Sequence, residues 1–139
     1  MIAVRVQTEP FDLAAEAAAL TAGRTDIGAL VTFTGLVRDH PLSLEHDPGM
    51  TERQLQSVAD AASARWQILS GTVIHRFGDL APADPIVLVA VAAAHRAVAF
   101  DAAAFLMDWL KTRAPFWKRD GNEWVTAKMS DETAAKRWL

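Results

Sequence analysis

The chain contains no cysteine in its 139 residues. It can therefore hold no disulfide, no thiolate metal site and no persulfide, and any sulfur chemistry it performs must use sulfur delivered from outside. Long apolar runs are missing too. The longest, residues 86–94, is about half of what a membrane span needs, and residues 1–7 alternate in polarity instead of forming a signal-peptide core. The expectation is a cytoplasmic protein with no membrane segment. There is no Gly-rich phosphate loop, no Gly-x-Ser-x-Gly elbow and no His-Glu-x-x-His pair, which removes the common nucleotide and hydrolase readings. His40, His46, His75 and His95, even taken with Glu45 or Asp47, match no standard metal-site spacing, so neither a metal nor a cofactor is expected.

What is present is the balance of an ordinary globular protein, 51% hydrophobic and 22% charged, at a length that suits one domain over residues 1–139. The net charge of −3 is unevenly spread. Residues 1–60 carry four arginines against nine carboxylates, whereas residues 95–120 carry five basic side chains against three acidic ones. A local basic patch on an acidic protein points to a small anionic ligand and away from nucleic acid, which needs a broader positive face.

Periodicity predicts a strand at residues 2–6 and an alanine-rich helix opened by Pro10, running to about Ala22 and stopped by Gly23. A second strand follows at 28–37. Residues 50–55 look like a helix start in which Thr51 caps Gln54 and Met50 faces Leu55, and the helix ends before Gly71. Strands at 72–77 and 86–93, joined by a turn-rich link, form an antiparallel pair. A long helix at 97–112 ends ahead of Pro115, and residues 124–129 alternate like a last strand. With no βαβ alternation and no internal repeat, the fold class is α+β: one domain with a mixed, largely antiparallel sheet packed by two long helices.

Two places concentrate cations. His95 and Arg96 stand where a buried strand gives way to a helix; positive charge there opposes the helix dipole and is best tolerated when an anion binds. The alternative is that Arg96 simply pairs with Asp101. At the far end of the same helix Lys111 favours the dipole and by itself needs no function. However, Arg113, Lys118 and Arg119 follow closely, interleaved with Pro115, Phe116 and Trp117, whose bulk could wall a pocket or merely pack the core. A lysine crowded by cations and partly desolvated loses affinity for its proton and becomes available for acid–base or nucleophilic work.

The runs VTFTGLVRDH (31–40), LEHDPGMTERQL (44–55), VIHRFGDL (73–80), AHRAVAFDAAAFLMDWLKTRAPFWKRD (94–120) and AAKRW (134–138) closely resemble the large subunit of molybdopterin synthase, over nearly all of residues 28–138. The resemblance implies transfer of two sulfur atoms from the thiocarboxylated Gly-Gly tail of a ubiquitin-like small subunit to cyclic pyranopterin monophosphate. It also implies a homodimer of this chain within a heterotetramer. Residues matching Arg38, His95, Arg96, Lys111 and Lys118 line the family's active site, with one matching Lys128 nearby. On that reading Arg38, His95 and Arg96 hold the substrate phosphate, while Lys111 and Lys118 stabilise charge and move protons.

The chain departs from the family in having shorter connections at 40–44 and 120–124, with Asp47 in place of a usual aromatic and Thr126 and Lys128 where Glu and Arg are common. The first short loop lies beside Arg38 and bears on substrate closure. Two other readings fit the same residues: a catalytically weak scaffold that still docks the ubiquitin-like partner, and an unrelated phosphate-ester enzyme that uses the basic pocket without a partner.

Overall fold

In a computed structural model that describes residues 1–113, 116–120, 123–125 and 134–139, the chain forms eight strands and three long helices. They follow in the order β1 (Ile2–Gln7), α1 (Leu13–Thr21), β2 (Ala29–Leu36), β3 (Leu42–His46), α2 (Met50–Arg65), β4 (Ser70–Arg76), β5 (Gly78–Leu80), β6 (Pro85–Ala93), α3 (Arg96–Arg113), β7 (Phe116–Asp120) and β8 (Glu123–Val125).

The apolar run expected to be a strand becomes β6, which is buried from Val87 to Ala93 because it sits inside a four-stranded sheet ordered β1-β4-β6-β2. Helices cover both faces of β6, so the run shows no alternation. Val87, Val89 and Val91 point to one side, where they meet Leu55, Val58 and Ala62 of α2 and Phe105, Leu106 and Leu110 of α3. Leu88 and Ala90 point to the other, where with Ile74 they meet Leu20 of α1. Among the described residues only the β1–β4 pair is parallel. A second, wholly antiparallel sheet, ordered β5-β3-β7-β8, packs beside the first through Val37, Leu44, Leu80, Phe77 and Ile86. The α+β class with a mixed, largely antiparallel sheet therefore holds; β3, β5 and β7 are strands that local periodicity does not announce.

Local signals differ in detail. The first helix starts at Leu13, with the Asp12 carboxylate accepting from the Ala15 amide, so the aspartate is the cap and Pro10 lies outside. Gly23, at φ +70°, takes the left-handed conformation that ends this segment. At α2 the expected Thr51–Gln54 cap is not formed. Gly49 begins the helix, its amide donating to Glu52 at 2.7 Å. The Thr51 hydroxyl is fully buried and donates to the Asp47 carbonyl at 2.9 Å, because it lies one position inside the helix facing the second sheet. The strand expected at 124–129 overlaps β8; residues 126–129 lie outside the described residues.

Arg76 is buried, and its guanidinium donates to the carbonyls of Thr8 (3.2 and 3.0 Å) and Pro85 (2.8 Å). It ties the ends of β1, β4 and β6 together. The core itself depends on side chains such as Leu106, which is wholly inaccessible between α3 and the sheet. Leu106→Ala should lower the unfolding free energy by about 2–5 kcal/mol in urea titration. A loss under about 1 kcal/mol would contradict this packing.

Candidate active site

β6 leads through Ala94 and His95 directly into α3. The His95 carbonyl accepts the Ala99 amide at 3.3 Å, so the amides of Arg96, Ala97 and Val98 face outward without helical acceptors. The first turn of α3 contains no acidic residue, and Arg96 makes no ion pair with Asp101. Both cationic side chains are exposed. Free amides, the positive end of a helix and two exposed basic residues thus lie together at one helix terminus, an arrangement that suits a phosphate. Gly28 holds this corner: its amide donates to the Ala93 carbonyl at 3.0 Å, and a Cβ added there would lie 2.2 Å from the Ala94 oxygen.

Lys111 lies 15 residues further along the same unbroken helix, a separation of roughly 22 Å at 1.5 Å per residue. Because α3 folds back over β6 and β2, its C-terminal end returns to the edge of the sheet where β6 begins and β2 ends. Arg38 follows β2 at that same edge, exposed, with only a loose 3.7 Å contact to Asp39. Lys118 lies on β7, opposite Leu44 of β3. Arg38, Lys111 and Lys118 therefore belong to one end of the chain, and His95 with Arg96 to the other.

The Lys111 end also gathers two histidines. His75, on β4, stacks on Phe116 of β7 with ring centroids 3.7 Å apart and planes 16° from parallel. His46, opposite Phe116 in the β3–β7 ladder, packs its ring 4.3 Å from Phe77 and 5.8 Å from Phe116. Burial pushes the His75 imidazolium down to about 4; the Arg76 carbonyl opposes that shift, and the charges of Lys111 and His46 add to it. Among the described residues no three acidic or imidazole groups gather around a common point that could hold a metal ion.

A family model described as MoaE protein matches residues 6–113. The chain belongs to the MoaE protein family. It is 53% identical to a molybdopterin synthase catalytic subunit of Cereibacter sphaeroides, with 97% of this chain and 99% of the relative aligned. Among solved structures it is similar to a molybdopterin biosynthesis MoaE protein from Burkholderia ambifaria, at a TM-score of 0.91 and 48% identity over 99% of this chain and 98% of that one. The same fold recurs in a complex of subunits 1 and 2 of molybdopterin-converting factor from Helicobacter pylori (TM-score 0.71, 19% identity, 92% and 90% covered).

Of the six residues expected at a MoaE-type site, the fold brings Arg38, Lys111 and Lys118 to one end, keeps His95 and Arg96 together at the other, and leaves Lys128 outside the described residues. Lys111 is exposed in the last turn of α3, so the burial expected around it is absent in a single chain. Phe116 is explained by its stack on His75, whereas Trp117 stays 37% exposed. In the sequence His46 and His75 were weighed only as metal-site candidates and match no standard spacing. The only signal for them was their presence in two of the family's runs, 44–55 and 73–80.

Two measurements check this geometry. An unfolded chain protonates His75 near pH 6.5, while the native chain resists until about 4, so the stability contributed by the neutral ring is complete above 6.5 and lost as pH falls between those values. Relative to wild type, His75→Phe should remove a drop of up to about 3 kcal/mol over that window. Identical pH profiles for the two proteins would contradict it. Gly28→Ala should cost about 1–3 kcal/mol, because backbone at Ala94 must move, and should weaken inorganic phosphate binding with it. Unchanged stability and phosphate affinity would show that the corner tolerates a Cβ.

Proposed function

We propose that this chain is the catalytic subunit of a molybdopterin synthase, converting cyclic pyranopterin monophosphate to molybdopterin with sulfur from the C-terminal Gly-Gly thiocarboxylate of a ubiquitin-like small subunit. The observation that carries the reading is near-full-length identity of about one half to proteins named for that activity. The absence of cysteine fits an enzyme whose sulfur arrives on a partner. A chain of this fold sits with the other subunit of a converting factor in the Helicobacter complex. No helix among the described residues is long and apolar enough to cross a membrane, in keeping with a cytoplasmic enzyme.

In this reading each of two thiocarboxylates attacks, through its sulfur, a carbon of the pterin side chain as that carbon's C–O bond breaks and the oxygen leaves on phosphate or as water, and water then adds to the thioester carbonyl. The tetrahedral intermediate collapses with the tail leaving as a carboxylate and the sulfur staying on the pterin. Lys111 and Lys118 supply cationic donors where the oxyanion develops, and Arg38, His95, Arg96 and Lys128 bind the phosphate and the pterin.

A site assembled from both ends of α3 requires two copies of the chain. The roughly 22 Å between Arg96 and Lys111 is too long for one small substrate, whereas a two-fold contact places the His95–Arg96 end of one protomer beside the Lys111–Lys118 end of its partner. β2 offers a surface for such a contact: it ends the first sheet and leaves Leu30, Phe33 and Leu36 exposed, with Phe100 of α3 60% exposed.

The deciding experiment is mass spectrometry of the pterin after mixing the chain with a thiocarboxylated small subunit; unchanged substrate with a competent partner would sink the assignment. Partner binding without product would favour the scaffold reading. Lys111→Ala and Lys111→Arg should each raise the barrier by about 2 kcal/mol or more, and near-normal turnover of both, with folding intact, would return Lys111 to a helix-end role. Arg96→Ala and Lys111→Ala homodimers should each be nearly inactive, while their mixed dimers regain about half of wild-type activity, since one site then carries both lesions and the other none. Mixed dimers as dead as the parents would place both residues in the same protomer's site.

A further inference from the structure

We propose that His46 and His75 are positioning residues for sulfur transfer: their rings clamp Phe116, and through it they set β7, the strand of Lys118, against the Lys111 end of α3. This rests on the synthase reading above.

The clamp joins two sheets. His75 belongs to β4 of the first sheet, Phe116 and His46 to β7 and β3 of the second, so the 3.7 Å stack is a direct contact between them at the residue where β7 begins. Phe116 opens β7 two positions before Lys118, in the same ladder against β3. Whatever holds the Phe116 ring therefore holds the first residue of β7 against the first sheet.

The hydrogen bonds settle both imidazole tautomers. His75 Nδ1 lies 2.8 Å from the Arg76 carbonyl, which can only accept, so Nδ1 carries the proton. The Thr51 hydroxyl gives its single proton to the Asp47 carbonyl at 2.9 Å and must accept from His46 Nδ1 at 3.0 Å. Both rings are anchored by donation to fixed oxygens, one on β4 and one at the start of α2. Among the described residues, Lys111 from α3 and His46 from β3 are the charged or titratable groups that bear on His75. The 3.7 Å stack of His75 and the tilted packing of His46 against the same ring make their use geometric.

The assignment separates the ring from its nitrogens. His75→Phe keeps a flat ring over Phe116, while His75→Ala removes it; Phe116→Leu removes the other half of the stack should His75→Ala fail to fold. With wild-type protein and a thiocarboxylated small subunit, His75→Ala and Phe116→Leu should lower kcat at least tenfold with the pterin KM within threefold, and His75→Phe should stay within threefold of wild type in both. Hydrogen exchange provides a readout independent of turnover: amides of residues 116–120 should lose protection in His75→Ala and keep it in His75→Phe. If His75→Phe is as inactive as His75→Ala, a ring nitrogen acts on the reaction and the positioning role is overturned. If His75→Ala and Phe116→Leu turn over and exchange like wild type, the clamp is overturned. A wild-type chain that transfers no sulfur yet shows the predicted exchange pattern would overturn the synthase reading and leave the clamp's hold on β7 intact.

Discussion

The structure depends on burying β6 on both of its faces. A strand of Ile, Val, Leu and Ala with no polar side needs a layer above and a layer below, and the chain supplies α2 and α3 on one side and α1 on the other. Because α3 begins immediately after β6, it covers the sheet by running back along it. That return path makes the helix a rigid spacer with cations at both tips. The separation of the two basic clusters is thus a consequence of core packing, and the chemistry has to be arranged around it.

The second sheet answers a different demand. Its strands are short, and the β3–β7 ladder brings Lys118 opposite Leu44, within a few residues of the loop that carries Arg38. The junction between the sheets is where the molecule places its less ordinary groups: the His75–Phe116 stack and the Arg76 guanidinium. Arg76 is buried with carbonyl oxygens around it and, among the described residues, no carboxylate in contact. The planar fork of the guanidinium lets it reach Thr8 and Pro85 together, which a single ammonium would do with poorer geometry.

Elements whose pattern comes from their own burial could be read in the sequence. α3 shows its stripe through Ala99, Ala103, Leu106 and Leu110, and β6 shows its length and bounding turns. The strands that escaped reading, β3, β5 and β7, owe their conformation to one another. FWKRD in β7 reads locally as a basic aromatic segment, and only its pairing with Leu42–His46 makes it a strand. The start of α2 misled for a related reason: Thr51 has the right chemistry for a cap, but the position of Asp47 and His46 turned its hydroxyl inward. At the candidate site the cations were legible as residue types, and their grouping into two ends was legible from the helix length. His46 and His75 were not, because their value lies in which ring they face across a gap between sheets.

The parallel pairing of β1 has a consequence for how the chain is made. Ile2 lies beside Gly71 and Gln7 beside Arg76, so β1 has no partner until about seventy further residues have been synthesised. Its alternating pattern, with Arg5 on one side and Val4 and Val6 on the other, keeps the waiting segment from being uniformly apolar. Once β4 is in place, Arg76 closes over the Thr8 carbonyl just past the end of β1. The strand is thereby held at its far end by a residue that neighbours the histidine at the junction of the two sheets.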